Sequence, residues 1–96
     1  MVSAELVLHN PLGLHLRPAG VLCTETLKFA STITIVYEGN EVNAKSVLGV
    51  LSSGLKYGSR FLVTCDGIDE EEALEKVKEL FEQGLGEKIP EKVLES

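Results

Sequence analysis

The chain has 96 residues, the length of one domain with a single core, which excludes an enzyme with separate cofactor and substrate lobes. Apolar residues make up 44% of it and charged residues 25%, a globular composition that excludes a disordered chain. The net charge of −6 argues against nucleic acid as a partner, because the phosphate backbone repels an acidic surface. Most of the 15 acidic residues lie in the second half, which leaves the first half free to carry a locally positive site.

Compartment signals are mostly absent from the sequence. The N-terminus lacks a basic segment followed by an apolar one, and no stretch approaches the roughly 18 apolar residues of a membrane span. We therefore expect a cytoplasmic protein that does not bind membranes. Cys23 and Cys65 lie in apolar patterns without a CxxC motif, so we expect buried, reduced thiols, with a disulfide or a redox role as the alternative.

The first elements are a strand and a helix. Alternating apolar residues predict a half-buried strand over Ser3–His9, with His9 facing solvent at its end. Residues 10–13 contain proline and glycine and predict a loop. A helix is predicted from Leu16 to Phe29, with Pro18 in its first turn, where a missing N–H costs little. Its buried face is expected to hold Ala19, Leu22, Thr26 and Phe29.

A hairpin and a short helix follow. Thr32–Tyr37 is β-branched and aromatic, which predicts a strand, and residues 38–40 predict the turn to a short return strand, Glu41–Asn43. A short helix is predicted over Val47–Ser53, and Gly54 ends it.

The last part of the chain predicts one more strand and helix. Arg60–Cys65 reads as a strand, and Asp69 is placed to cap a helix over Glu70–Gln83. Residues 87–96 are expected to form a mostly polar tail in which Ile89, Val93 and Leu94 pack as a local helical turn. The order βαββαβα predicts an α+β fold, with helices on one face of a mainly antiparallel sheet and the first two strands lying apart. We expect one domain over residues 1–86 and a tail over 87–96.

The stretch around His15 is the most informative for chemistry. Gly13 permits a tight turn, and His15 then stands at the expected helix start, where the N–H groups of Leu16 and Arg17 have no intrahelical partner. These donors and the Arg17 guanidinium would form an anion site beside a nucleophilic imidazole, which suits phosphoryl transfer. The alternative is that His15 only caps the helix and Arg17 is a solvated charge. No cysteine or carboxylate lies near His15 in sequence, so no metal or cofactor is expected.

The second informative stretch surrounds Ser46. This serine is well placed as a helix N-cap, which alone would explain it, although a phosphate there would add negative charge to the surface. The helix that follows is apolar on more than one face and cannot bury all of its side chains. We expect some of them to form an exposed docking patch for a partner.

Both stretches resemble signatures of one family. Asn10–Ala19 (NPLGLHLRPA) resembles the active-site signature of HPr, the histidine-containing phosphocarrier of the bacterial phosphoenolpyruvate-dependent sugar phosphotransferase system. Asn43–Val50 (NAKSVLGV) resembles the signature around the regulatory serine of that family. The spacing of the two stretches and the order of elements also match, so the resemblance covers about residues 2–86.

The resemblance implies a fold and a role. It implies an open-faced β-sandwich of four antiparallel strands and three helices, and a phosphoryl carrier rather than an enzyme. His15 would accept phosphate on Nδ1 from phospho-enzyme I and pass it to sugar-specific IIA proteins, with assistance from Arg17. Ser46 would be the site of a regulatory kinase and phosphorylase. A docking surface would include Val47, Leu48 and Leu51, and the protein would act as a monomer.

Two departures and two alternatives remain. Leu16 replaces the small residue common in the family, and Thr24 and Leu27 stand where lysines are frequent, so docking to enzyme I is expected to differ.

One alternative is a regulatory module that acts through Ser46 and a catabolite-control regulator instead of sugar uptake. The other is an acyl carrier, against which the β-branched segments argue, since that class is all-helical.

Overall fold

Residues 1–87 are described by a computed structural model and follow the predicted order of elements. The elements are β1 (Val2–Val7), α1 (Leu16–Thr26), β2 (Thr32–Tyr37), β3 (Asn40–Asn43), α2 (Val47–Leu51), β4 (Arg60–Asp66) and α3 (Glu70–Glu82). Within this part of the chain, none of the helices has the length and apolar character needed to cross a membrane. The local turn predicted for Ile89, Val93 and Leu94 lies outside the described residues.

The four strands form one antiparallel sheet in the order β1-β4-β2-β3. β4 lies between the first two strands, so the prediction that they lie apart is confirmed. Val63 of β4 pairs with Ala4 on one side and with Ile35 on the other, which aligns small and β-branched side chains in a row. At the hairpin, Tyr37 pairs with Asn40 across a two-residue turn whose residues, Glu38 and Gly39, both have positive φ.

The core lies between the sheet and the three helices. The rings of Phe61 on β4 and Phe81 on α3 have centroids 4.8 Å apart and are tilted by 58°. Cys23 and Cys65 are free and buried, as predicted, and burial raises the pKa of both thiols. The largest fully buried apolar side chains include Leu8, Leu22, Ile33, Ile35, Val50, Val63, Val77, Phe81 and Leu85.

All three helices end earlier than predicted, α3 by one residue, at Glu82 instead of Gln83. α1 ends at Thr26 instead of Phe29, because the amides of Lys28 and Phe29 bond to carbonyls three residues back and tighten the chain into a turn. The side chain of Phe29 still packs against the core, so the predicted apolar face is correct beyond the end of the helix. α2 ends at Leu51, where the amide of Ser52 bonds to two carbonyls of the preceding turn.

The start of α3 corrects one prediction. Asp69 occupies the N-cap position, but its side chain makes no capping hydrogen bond within residues 1–87. The carboxylate accepts the amides of Ala30 (2.8 Å) and Ser31 (2.9 Å) and the Ser31 hydroxyl instead. The Ser31 hydroxyl and these amides hold the pKa of Asp69 below its ordinary value. Asp69 therefore ties α3 to the loop before β2.

The end of α3 reverses the chain toward α1. Gly84 has a φ of 80°. Its amide donates to the carbonyl of Phe81, and the amide of Leu85 donates to the carbonyl of Leu80 at 2.9 Å. This pair of bonds is the Schellman ending, which requires a left-handed residue and so favours glycine. Leu85 is buried, and the chain that follows it lies against the start of α1.

Candidate functional site

A tight turn positions the residues before α1. The amide of Gly13 donates to the carbonyl of Asn10 at 3.0 Å, which closes a turn across residues 10–13. Gly13 has a φ of 75°, and a Cβ at this position would lie 2.9 Å from the carbonyl oxygen of Leu55. Only glycine fits this backbone. The turn places His15 at the N-cap of α1.

His15 is the N-cap residue of α1, but its imidazole does not cap the helix. Its backbone is extended (φ −86°, ψ −173°), and its carbonyl accepts the amide of Ala19 at 3.1 Å. The side chain makes no capping hydrogen bond within residues 1–87 and is 39% exposed. The interpretation of His15 as a simple cap is therefore wrong. The positive end of the helix lies open beside an accessible imidazole.

A carboxylate from the far end of the chain contacts His15. Oε2 of Glu87 lies 2.7 Å from Nε2 of His15, and Oε1 of Glu87 accepts the side-chain amide of Asn10 at 2.8 Å. The Asn10 amide also donates to the carbonyl of Gly84 at 2.8 Å. Both oxygens of Glu87 are thus held, one by the imidazole and one by a fully buried asparagine. Glu87, an acid of the second half, therefore lies within the site that the first half was expected to keep locally positive.

The electrostatics of Glu87 follow from these partners. The Asn10 amide holds the pKa of the Glu87 carboxyl below its ordinary value, with the hydrogen bond and charge of His15 and the charge of Arg17 in the same direction. Partial burial acts the other way. Glu87 is therefore ionised at neutral pH, and it offers His15 only acceptor atoms.

Arg17 and Leu16 extend from the first turn of α1 into solvent. Arg17 is exposed, as the predicted phosphate-binding role requires, and Leu16 is 66% exposed. An open groove separates them from Val47 on α2. The structure therefore brings the His15 and Ser46 stretches, which are about 30 residues apart, to one surface.

Ser46 closes the start of α2 by itself. Its hydroxyl accepts the amide of Gly49 at 3.1 Å, so the predicted capping role is confirmed. The neighbouring Lys45 ammonium donates to the carbonyl of Phe29 at 2.6 Å and fixes the loop against the end of α1. Leu48 is 77% exposed and Leu51 is also exposed, which agrees with the expected apolar patch.

Sequence reasoning missed Asn10 and Glu87. The sequence places Asn10 in a loop and at the start of the active-site signature but assigns it no partner, although a fully buried polar side chain needs one. The sequence places Glu87 in the tail, since no local pattern links residues separated by 72 positions. The two glycines before it, Gly84 and Gly86, were the available signal of a chain reversal. No group of three or more metal-ligand residues occurs within residues 1–87, and His9 is half-buried beyond the end of β1.

Comparison with known proteins decides the family. Residues 2–83 match the family model described as the PTS HPr component phosphorylation site. The chain belongs to the HPr family. It is 40% identical over 87 residues to the phosphocarrier protein HPr of Xylella fastidiosa, an alignment that covers 91% of this chain and 98% of the relative.

Solved HPr structures share this fold. A crystal structure of HPr from Thermoanaerobacter tengcongensis has a TM-score of 0.87 at 35% identity, and covers 92% of this chain and 99% of its own. Crh, a catabolite repression protein of Bacillus subtilis that crystallised as a swapped dimer, has a TM-score of 0.71 at 32% identity, over 88% of this chain and 97% of its own. The open-faced sandwich is confirmed, and as an HPr the protein carries phosphoryl groups in the phosphotransferase system rather than acting as an enzyme.

Proposed function

We propose that His15 is the residue that carries the phosphoryl group, on Nδ1, between phospho-enzyme I and sugar-specific IIA proteins. The observation that supports this most strongly is an accessible imidazole at an uncapped helix start beside Arg17. Nε2 is occupied by Glu87, whereas no residue of 1–87 hydrogen-bonds Nδ1. The phosphoryl group would be carried by a cytoplasmic monomer.

The groups around His15 suit a phosphoryl group during transfer. The amides of Leu16 and Arg17 lie in the first turn of α1, where the helix dipole is positive, and the Arg17 guanidinium supplies several fixed donors. Phosphoryl transfer depends mainly on positioning and on stabilising charge at the phosphoryl oxygens. We expect Arg17→Ala to slow transfer while leaving the fold unchanged, because the side chain is exposed.

The docking surface is proposed to include Leu16, Val47, Leu48 and Leu51. Leu16 and Val47 line the groove beside Arg17, and Leu16, Leu48 and Leu51 are exposed. Few lysines lie on α1, because position 24 is threonine and the C-cap at position 27 is leucine, and the ammonium of Lys28 pairs with Glu25 at 2.9 Å. Apolar contacts rather than steering by charge would then dominate, so added salt should change the rate of phosphorylation little.

Intact-mass measurement tests the proposal directly. The full chain is incubated with phosphoenolpyruvate and enzyme I from the same organism, and its mass is recorded before and after brief acid treatment. We expect a gain of one phosphoryl group that acid removes, and no gain in His15→Ala. His9→Ala is the matched control and should behave as wild type. Equal phosphorylation of His15→Ala would show that another residue carries the group.

A regulatory role through Ser46 is the second candidate. It is supported by the position of Ser46 next to Val47, which lines the same groove as Leu16 and Arg17, and by the similarity to Crh, a catabolite repression protein. A serine kinase and phosphorylase would act on Ser46, and the phosphoserine would create a surface for a catabolite-control regulator. The accessible His15 and Arg17 favour the carrier role, because a purely regulatory protein needs no nucleophile.

Two single substitutions separate the candidates. His15→Ala should abolish phosphoryl transfer to IIA proteins, and Ser46→Ala should leave that transfer intact. Sugar uptake in cells that carry each variant is the measurement. If only Ser46→Ala disturbs the cells, the carrier role is wrong and the regulatory module is favoured.

A further inference from the structure

Glu87 is held in place by contacts at both ends of its carboxylate. Oε1 lies 2.8 Å from Nδ2 of Asn10 and Oε2 lies 2.7 Å from Nε2 of His15. The Glu87 side chain is 20% exposed, and Asn10 is completely buried. Because both of its oxygens are hydrogen-bonded, the carboxylate is held in one position against His15.

Asn10 holds Glu87 in place although its own side-chain oxygen is left without a hydrogen bond in the described part of the chain. Its amide nitrogen donates twice, to Glu87 and to the carbonyl of Gly84, where the chain reverses after α3. Its oxygen, by contrast, is buried and finds no hydrogen-bond partner within residues 1–87. A buried polar atom without a partner is destabilising. The two hydrogen bonds that Asn10 donates explain why an asparagine is buried here. They hold both the loop after α3 and the Glu87 carboxylate in place.

The contact determines which ring nitrogen carries the proton. An ionised carboxylate can only accept hydrogen bonds, so Nε2 must carry the hydrogen at a separation of 2.7 Å. In a neutral imidazole the other nitrogen, Nδ1, then holds the lone pair. We propose that Glu87, positioned by Asn10, fixes the tautomer of His15 so that Nδ1 is the nucleophile and Nε2 cannot be. This inference rests on the proposed role of His15 as the phosphoryl carrier.

The negative charge of Glu87 also stabilises the positive charge that the His15 ring gains when it is phosphorylated. The Nδ1 lone pair forms the bond to phosphorus while the bond from phosphorus to the donor breaks, and the donor keeps that electron pair. The ring of His15 keeps its Nε2 proton and becomes a cation, which faces the Glu87 carboxylate. When the group moves on, the bond to Nδ1 breaks and its electron pair returns to the ring. No proton has to leave, so Glu87 acts as a positioning residue and not as a base.

The test reads the tautomer and the transfer rate separately. The full chain is labelled with ¹⁵N-histidine, and ring nitrogens are observed by NMR at alkaline pH, where imidazole is neutral. We expect His15 in the wild type to show a hydrogen on Nε2 whose exchange with water is slow. In Glu87→Ala that hydrogen should exchange as fast as the ring hydrogen of His9. The initial rate of phosphorylation by phospho-enzyme I should fall about tenfold, the effect of losing one charge-assisted hydrogen bond.

Two further variants control for charge and for shape. Glu82→Gln removes a carboxylate from the exposed face at the end of α3 and should leave both readings unchanged. Glu87→Gln keeps the shape, but its amide has one oxygen for two donors, Asn10 Nδ2 and His15 Nε2. It should therefore give an intermediate loss of the slow-exchanging ring hydrogen, which a purely structural role of Glu87 would not produce.

The outcomes distinguish this inference from the proposed function. If Glu87→Ala retains the slow-exchanging Nε2 hydrogen and the wild-type rate, the positioning role is wrong, while phosphorylation at His15 still stands. If the wild type accepts no phosphoryl group, the carrier role of His15 fails, and the NMR reading still decides whether Glu87 fixes the tautomer. A slow phosphorylation of Glu87→Ala with an unchanged tautomer would also overturn the inference.

Discussion

Helices α1 and α3 both begin at a residue whose side chain turns away from its own helix. His15 of α1 reaches Glu87, and Asp69 of α3 reaches Ala30 and Ser31. Asp69 is saturated by three hydrogen bonds, whereas His15 uses one ring nitrogen and leaves the other available. In both helices the N-cap side chain links distant segments of the chain. At α3 this contact serves stability, and at α1 it leaves a ring nitrogen available for reaction.

The largest effect on the α1 site is expected from Gly13→Ala. The new Cβ would lie 2.9 Å from the carbonyl oxygen of Leu55, and the φ of 75° is unfavourable for alanine. We expect a loss of about 2 kcal/mol or more in the free energy of unfolding, measured by denaturant titration. Gly20→Ala on α1 is the control, since its Cβ would meet no atom within 4 Å. Equal stability of the two variants would contradict the role of the turn before His15.

Asp69→Asn should separate stability from chemistry. The neutral amide keeps one acceptor oxygen for three donors, so we expect a lower melting temperature and unchanged phosphorylation of His15. Thermal unfolding and intact mass measure the two. Asp66→Asn is a matched control on an exposed residue near the same end of the sheet. A melting temperature equal to that of the control would show that the Asp69 bonds are worth nothing.

The pH dependence of stability should carry the signature of Asp69. Its pKa is lowered in the fold by the Ser31 hydroxyl and by the amides of the loop before β2, so its contribution is complete above the ordinary aspartate pKa of about 3.9. The contribution is lost as pH falls through the lower pKa of the folded state. The difference in melting temperature between wild type and Asp69→Asn should therefore be constant near neutral pH and shrink below about pH 4. A difference that grows in acid would contradict this sign.

The smallest effect is expected at the start of α2. Ser46→Ala removes the hydroxyl that accepts the amide of Gly49, which should cost about 1 kcal/mol in the free energy of unfolding. Denaturant titration measures it, and Ser52→Ala, at the opposite end of α2, is the control. A loss of 3 kcal/mol or more, well above the range for a cap, would indicate that Ser46 supports more than its own helix.

Local patterns predicted most of the fold. Thr32–Tyr37 is a strand with the predicted bounds, because β-branched residues favour extended backbone and neighbouring turns delimit it. The end of α1 was misplaced because the apolar spacing continues to Phe29 while the backbone has already tightened. Asp69 stands where a cap is expected, but donors from another loop compete for its carboxylate and win.

Sequence patterns predicted only the part of the site that is formed by residues close to one another in the chain. His15, Leu16 and Arg17 lie within one turn, so sequence spacing alone predicts that they meet. Glu87 reaches them only because α3 crosses the sheet and then reverses at Gly84, which depends on tertiary packing. Asn10 could have been suspected, since an asparagine beside an apolar strand needs partners for its amide.

One measurement joins the carrier role and the geometry of His15. The full chain labelled with ¹⁵N-histidine is phosphorylated with phosphoenolpyruvate and enzyme I, and the one-bond coupling between ³¹P and ring ¹⁵N is recorded by NMR. We predict that the coupling appears on Nδ1 of His15, with the hydrogen retained on Nε2 beside Glu87. Coupling on Nε2, or on His9, or phosphate found only on serine, would contradict it.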